Sequence, residues 1–204
     1  MQRKIQIFRW ALLLVACLTA ALYFGKNLSL SIGDIGKIIP QPDLATAAAM
    51  LPDFVLSDLN GTPRPISDWS GQPLLLNFWA TWCAPCRREM PLLQKLHEES
   101  GSTGLQVIGI AIDRVPDVNA FTTETGVTYP ILVGQEDAIE LTEEFGLDVL
   151  GLPFSVLTSG DGQILKIQLG ELHTDDLKLI IVVTEELKAG DISVAAAQQR
   201  LNAL

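Results

Sequence analysis

The chain has 204 residues, the length of one ordinary domain with extensions. Apolar residues make up 48% and charged residues 19%, so the chain can bury a core and is not disordered by composition. A formal net charge of −10 argues against nucleic acid as a partner, because phosphate contacts need a basic face. Its three cysteines, Cys17, Cys83 and Cys86, are too few for a disulfide-stapled scaffold or a four-cysteine zinc site. The two histidines, His97 and His173, stand at no ligand spacing to them.

The first 26 residues differ from the rest. Arg3, Lys4, Arg9 and Lys26 are their only charges, and the body beyond them carries 10 basic against 24 acidic side chains. Trp10–Phe24 is an uncharged apolar run, preceded by Ile5, Ile7 and Phe8. A membrane-spanning helix needs about 20 apolar residues, a length that Ile5–Phe24 reaches if Arg9 snorkels to the headgroups. The apolar residues ring the whole helix, whereas a core helix shows one stripe. We therefore expect residues 1–26 to be a single-pass anchor with a cytoplasmic N-terminus, which places the body on the oxidising side of the inner membrane, the periplasmic side. A cleaved signal, or a lipoprotein processed at Leu14-Val15-Ala16-Cys17, is the alternative, and either also exports the body. Against the lipoprotein stands the apolar run that continues beyond Cys17 to Phe24.

Residues 27–51 read as a linker, with Gly33, Gly36, Pro40, Pro42 and an alanine patch but no sustained period. Phe54–Leu56 and Pro65-Ile66 flank Asn60-Gly61, which predicts a short hairpin. Leu74–Trp79 is nearly continuous apolar sequence, the mark of a strand buried on both faces. Helical spacing follows over 84–99, with Met90, Leu93 and Leu96 on one side and Arg87, Arg88, Glu98 and Glu99 on the other. Leu105–Ile112 reads as a second buried strand. A helix over 116–125, a strand over 129–133 and a helix over 138–145 come next. Strands over 154–157 and 164–169 flank a Ser-Gly-Asp-Gly turn. Thr174 is the expected cap of a helix running to Lys188, and residues 193–203 form a tail helix within the C-terminal segment 189–204. Alternating strands and helices ending in a hairpin indicate an α/β fold, a mixed central sheet with helices on both faces.

Trp82-Cys83-Ala84-Pro85-Cys86 carries the chemistry. It lies where a buried strand passes into a helix, so the Cys83 sulfur meets unpaired N–H groups and the positive end of the helix dipole. Both favour the nucleophilic thiolate. Cys86 stands one helical turn on, within reach of a disulfide. Pro85 suits a first turn, where its missing N–H is not needed. A haem-attachment motif fails because position 87 is Arg. A purely structural disulfide is a poor reading, since so short a loop removes little chain entropy.

Asn77-Phe78-Trp79-Ala80-Thr81-Trp82-Cys83-Ala84-Pro85-Cys86-Arg87, followed by Glu89-Met90-Pro91, resembles the thioredoxin superfamily. More narrowly it resembles the membrane-tethered TlpA/ResA-like thiol–disulfide oxidoreductases, over about residues 52–188. Pro52-Asp53-Phe54 and Gly151-Leu152-Pro153-Phe154 extend the likeness. It implies a thioredoxin fold with an N-terminal hairpin and an α/β insertion over 113–133. It further implies that Cys83 and Cys86 cycle between dithiol and disulfide, and that Pro153 is a cis-proline whose loop, with Leu152, offers backbone to a substrate strand beside Cys83. Trp82, Ala84 and Pro85 would support that site, with Trp79 and Trp82 packed around the disulfide. Pro91 matches the proline that bends the helix. Cytosolic thioredoxins place a buried Asp where this chain has Asn77, so the proton from the buried thiol needs another acceptor. Glu89 and Asp113 are the candidates.

The expected function is an extracytoplasmic thiol–disulfide oxidoreductase, a reductase of protein disulfides fed by a membrane thiol reductase, with no dissociable cofactor. The alternative is a Cu(I)-handling dithiol module, whose additional histidine could only be the distant His97. A thiol peroxidase reading wants Thr three residues before the cysteine, where this chain has Ala80.

Overall fold

The computed structural model describes residues 50–99, 104–147, 151–202 and 204, all within one compact unit, Pro42–Leu204. The anchor expected over 1–26 and nearly all of the expected linker lie outside the described residues. Among the described residues no helix is long and apolar enough to cross a membrane.

In chain order the elements are β1 (Val55–Asp58), β2 (Pro63–Pro65), a 3₁₀ turn (Ile66–Trp69), β3 (Leu74–Trp79), α1 (Ala84–Glu99), β4 (Gln106–Ile112) and α2 (Val115–Thr125). They continue with β5 (Ile131–Gly134), α3 (Glu136–Glu144), β6 (Phe154–Thr158), β7 (Ile164–Leu169), α4 (Thr174–Ala189) and α5 (Val194–Leu201). The strands join in one sheet of order β2-β1-β5-β4-β3-β6-β7. The central β5-β4-β3 pairings are parallel, β1 and β6 pair antiparallel with them on either side, and β2 and β7 complete antiparallel hairpins at the two edges. The expected insertion is present: α2 and β5 follow β4, and β5 carries the N-terminal hairpin on its outer edge.

Side chains alternate across the sheet and fill two cores. Leu75, Trp79, Val107 and Ala111 face α1, α4 and α5. Leu76, Phe78, Ile108 and Ile110 face α3 and the 3₁₀ turn, whose Trp69 is buried as hairpin packing requires. The tail helix closes the first core with Ala197 and Leu201. By the same alternation Asn77, fully buried, is on the α1 side.

Element ends follow local chemistry. Glycines with φ near +70 to +80° stop α2 at Gly126 and α4 at Gly190, where a side chain would be strained. The β3 start is fixed by Thr158, whose hydroxyl accepts the Leu74 N–H at 3.2 Å. One expectation fails by a residue: Thr174 is the first residue of α4, not its cap. His173 takes the cap position, and its N–H donates to the Asp176 carboxylate at 2.6 Å.

Candidate active site

Strand β3 ends at Trp79, and four residues carry the chain to α1. That loop is pinned by Asp113 from the end of β4. One of its oxygens accepts both the Thr81 N–H at 3.0 Å and the Thr81 hydroxyl at 2.5 Å. Burial works against the Asp113 charge, but these bonds and the Arg114 backbone N–H outweigh it and hold its pKa below the ordinary value. Asp113 is therefore an ionised anchor for the loop.

Cys83 immediately precedes α1 and forms a disulfide with Cys86, their Cα atoms 5.3 Å apart. The Cys86 N–H points at Cys83 Sγ, 3.3 Å away, the arrangement that steadies a thiolate at a helix tip. The Arg87 N–H bonds the Cys83 carbonyl at 3.1 Å and continues the helix. Cys83 keeps 5% of its surface exposed and Cys86 none. Ala84, exposed, and Pro85, half-buried, form the first two positions of α1. The Leu152–Pro153 bond is cis, as expected. Because Phe78 pairs with Phe154, the antiparallel register brings Pro153 alongside the end of β3, where the cysteine loop begins. Leu152 packs against the cluster that contains both cysteines. Trp79 is fully buried in that cluster, but the expectation for Trp82 fails: it is 71% exposed and stands out beside Cys83. A loop residue just outside the helix has no sheet or helix face to bury it.

Glu89 was one of two candidate acids, and the structure separates them. It stands one turn below Cys86 on the buried stripe of α1 and has no exposed surface. One carboxylate oxygen accepts the Asn77 amide at 2.9 Å; the other accepts the Leu172 N–H at 2.7 Å. Asn77 also donates to the Ser155 hydroxyl at 3.1 Å. Burial raises the Glu89 pKa to about 7 despite those hydrogen bonds. Asn77 thus holds the acid in place without being one. Sequence reasoning missed Ser155 and Leu172, which come from β6 and from the loop before α4.

For the copper alternative, the described residues include no group of three His, Cys, Asp or Glu side chains able to hold a metal. His97 lies near the far end of α1, its ring against Tyr129.

A mixed sheet carrying a Cys-x-x-Cys disulfide at a helix tip, flanked by a cis-proline loop and backed by a buried carboxyl, defines a thioredoxin-like thiol–disulfide oxidoreductase. Comparison with known proteins agrees. The AhpC/TSA family profile matches residues 47–167. The thiol–disulfide oxidoreductase ResA of Geobacillus thermodenitrificans is 34% identical over 128 residues, spanning 62% of this chain and 71% of that protein. ResA of Bacillus thuringiensis subsp. konkukian is 28% identical over 181 residues, 87% of this chain and 95% of that one. A crystal structure of a thiol:disulfide interchange protein of the thioredoxin family from Chlorobium tepidum TLS superposes with a TM-score of 0.61 at 25% identity, covering 67% of this chain and 96% of its own. The chain belongs to the AhpC/TSA family, as a TlpA/ResA-like thiol–disulfide oxidoreductase.

Proposed function

We propose that this chain works outside the cytoplasm, tethered to the inner membrane through its first 26 residues, and reduces disulfides of substrate proteins. Cys83 attacks, Cys86 resolves and Glu89 accepts the proton. The observation that carries this reading is the unequal burial of the pair: Cys83 has a little exposed surface and Cys86 none. Only Cys83 offers a sulfur to an incoming disulfide.

In the reduced protein the Cys83 thiolate attacks one substrate sulfur. A Cys83–substrate bond forms, the substrate S–S bond breaks, and its electron pair leaves on the other sulfur, which takes a proton from water. The Cys86 thiol then loses its proton to Glu89, one turn away and near half-ionised at neutral pH. The Cys86 thiolate attacks Cys83 Sγ, the Cys83–substrate bond breaks with its electron pair on the second substrate sulfur, and that sulfur takes a proton from water and departs as a thiol. Two electrons have passed to the substrate, and the chain is left as the Cys83–Cys86 disulfide. A membrane thiol reductase returns them. During the exchange the Leu152-Pro153 loop and the exposed faces of Trp82, Ala84 and Pro85 meet the substrate chain. The basic, apolar start of the sequence supports the tether and its orientation.

Two experiments test this. Cys83→Ser should abolish reduction of insulin disulfides, and Cys86→Ala should accumulate mixed disulfides on Cys83 in native membranes; retained insulin reduction by Cys83→Ser refutes the chemistry. After mild reduction, a membrane-impermeant maleimide should label Cys83 in intact protoplasts or spheroplasts. Labelling only after permeabilisation refutes the location.

A further inference from the structure

A groove of about 410 Å³ opens beside the disulfide, lined by Ala84, Arg87 and Arg88 of α1 and by Phe121 and Thr125 of the inserted α2. Ala84 lies between the two cysteines in the chain, so one end of the groove is the first turn of α1, next to Cys83 in sequence. Residues 84, 87 and 88 share one face of α1, and 121 and 125 share one face of α2.

The charges along the groove are unequal. Arg88 is held by Glu171 of the loop before α4, with N–O distances of 3.2 and 3.1 Å from its Nε. Six basic side chains of the described residues, Arg88 included, are ion-paired. Arg87 is exposed and has no such partner among the described residues; its guanidinium carbon lies over the Phe121 ring, 5.6 Å from the centroid. A guanidinium resting on an aromatic face is partly desolvated and steadied, while its in-plane N–H donors remain available for a bidentate acceptor. The net charge of −10 repels acidic chains at long range, and Arg87 is the local exception that offers negative charge a site in the groove.

Resting on the oxidoreductase reading above, we propose that the α1/α2 groove sets substrate preference: Arg87 binds an aspartate or glutamate of the substrate chain near its reactive cysteine. Arg87 is four residues after Cys83, about 5–6 Å apart at Cβ. At about 3.3 Å per extended residue plus the reach of the arginine, the acid falls two to four positions from the substrate cysteine. Phe121 takes part by fixing the guanidinium.

The test uses the reduced full-length chain in non-ionic micelles and homodimeric peptide disulfides carrying Asp, Ala or Lys at each of those positions. Rates of single-turnover oxidation are followed by tryptophan fluorescence. The wild type should oxidise with the best-placed Asp peptide about five- to tenfold faster than with its Lys counterpart, a preference that shrinks as salt rises. Arg87→Glu should invert the Asp/Lys ratio and Arg87→Gln should bring it near one. A change in thiol reactivity alone would move all the peptides together and leave the ratio intact. A wild-type ratio near one, or the same ratio in Arg87→Glu, overturns the groove assignment. If neither the peptides nor neutral hydroxyethyl disulfide oxidise the wild-type dithiol, the oxidoreductase reading itself falls, and this proposal with it.

Discussion

Replacing Glu89 by Gln isolates the buried acid. The side-chain shape is kept, and the hydrogen bonds can be remade. Asn77 Oδ1 has no partner, so a flipped Asn77 amide can accept from the new Gln amide and take the Ser155 hydroxyl as donor, while the Gln oxygen keeps the Leu172 N–H. What disappears is the titration. The Glu89 pKa rises from 4.5 in the unfolded chain to about 7 in the folded one, because burial penalises the charged form. The folded state therefore holds more protons than the unfolded state between these values, and stability falls as pH rises through that window. At 1.36 kcal/mol per pKa unit the fall amounts to about 3 kcal/mol, absent below pH 4.5 and established as pH rises through about 7. Urea titrations of the oxidised chain at half-unit steps from pH 4.5 to 8 should show the wild type losing about that much relative to Glu89→Gln. The other carboxylates titrate in both proteins and cancel in the difference. Parallel stability–pH curves would refute the reasoning, since Glu89 would then ionise equally well in the folded and unfolded chains.

Three further substitutions probe the scaffold that holds the site. Gly109→Ala places a Cβ 2.6 Å from Ile131 Cδ1, 3.0 Å from Trp79 Nε1 and 3.1 Å from Tyr129 Cε2; only the first can swing aside easily, so urea denaturation should show a loss of about 1–3 kcal/mol. Leu93→Ala empties a fully buried site under α1 and should cost about 2–5 kcal/mol by the same measurement, whereas a loss below 1 kcal/mol would mean that α1 is not seated as described. Thr158→Val removes the acceptor of the Leu74 N–H at the start of β3 and should cost about 1–3 kcal/mol, with faster amide exchange at Leu74.

The parts of the fold that were legible in sequence are those where one physical demand dominates. Leu74–Trp79 and the strand ending at Ile112 are apolar on both faces because both faces are covered. Gly126 and Gly190 end helices because the chain turns left-handed there. The cysteine pair announced itself through its place at a strand-to-helix junction. Glu89 was half legible. It was a candidate by its nearness to the cysteines in the chain, and it also shares the stripe of Cys86, Met90, Leu93 and Leu96, where a charge is a signal of a buried ionisable group. The rest of its network was not legible, because Leu172, which bonds Glu89, and Ser155, which bonds Asn77, approach through a loop and through sheet pairing far along the chain. Trp82 misled for the opposite reason: large aromatics bury on average, but a loop offers no packing face.

The exchange of roles between Asn77 and Glu89 has a physical logic that neither residue shows alone. A carboxyl at position 77 would be fixed to the sheet, so its distance from Cys86 would depend on how α1 docks. A carboxyl at position 89 is carried on α1 itself, and the helical repeat sets its place one turn from Cys86. With the acid on the helix, the strand residue 2.9 Å from it must be a donor, because two carboxyls in contact in a buried site could not both ionise. An amide meets that need: Asn77 donates to Glu89 and to Ser155 and brings no second charge. Desolvation then lifts the Glu89 pKa, while the Asn77 and Leu172 bonds lower it again, and the balance comes out near 7. Burial alone would keep the group protonated and useless as an acceptor; hydrogen bonds alone would leave it too weak a base to take a thiol proton. The opposition of the two gives Glu89 the intermediate proton affinity that the proposed transfer from Cys86 requires.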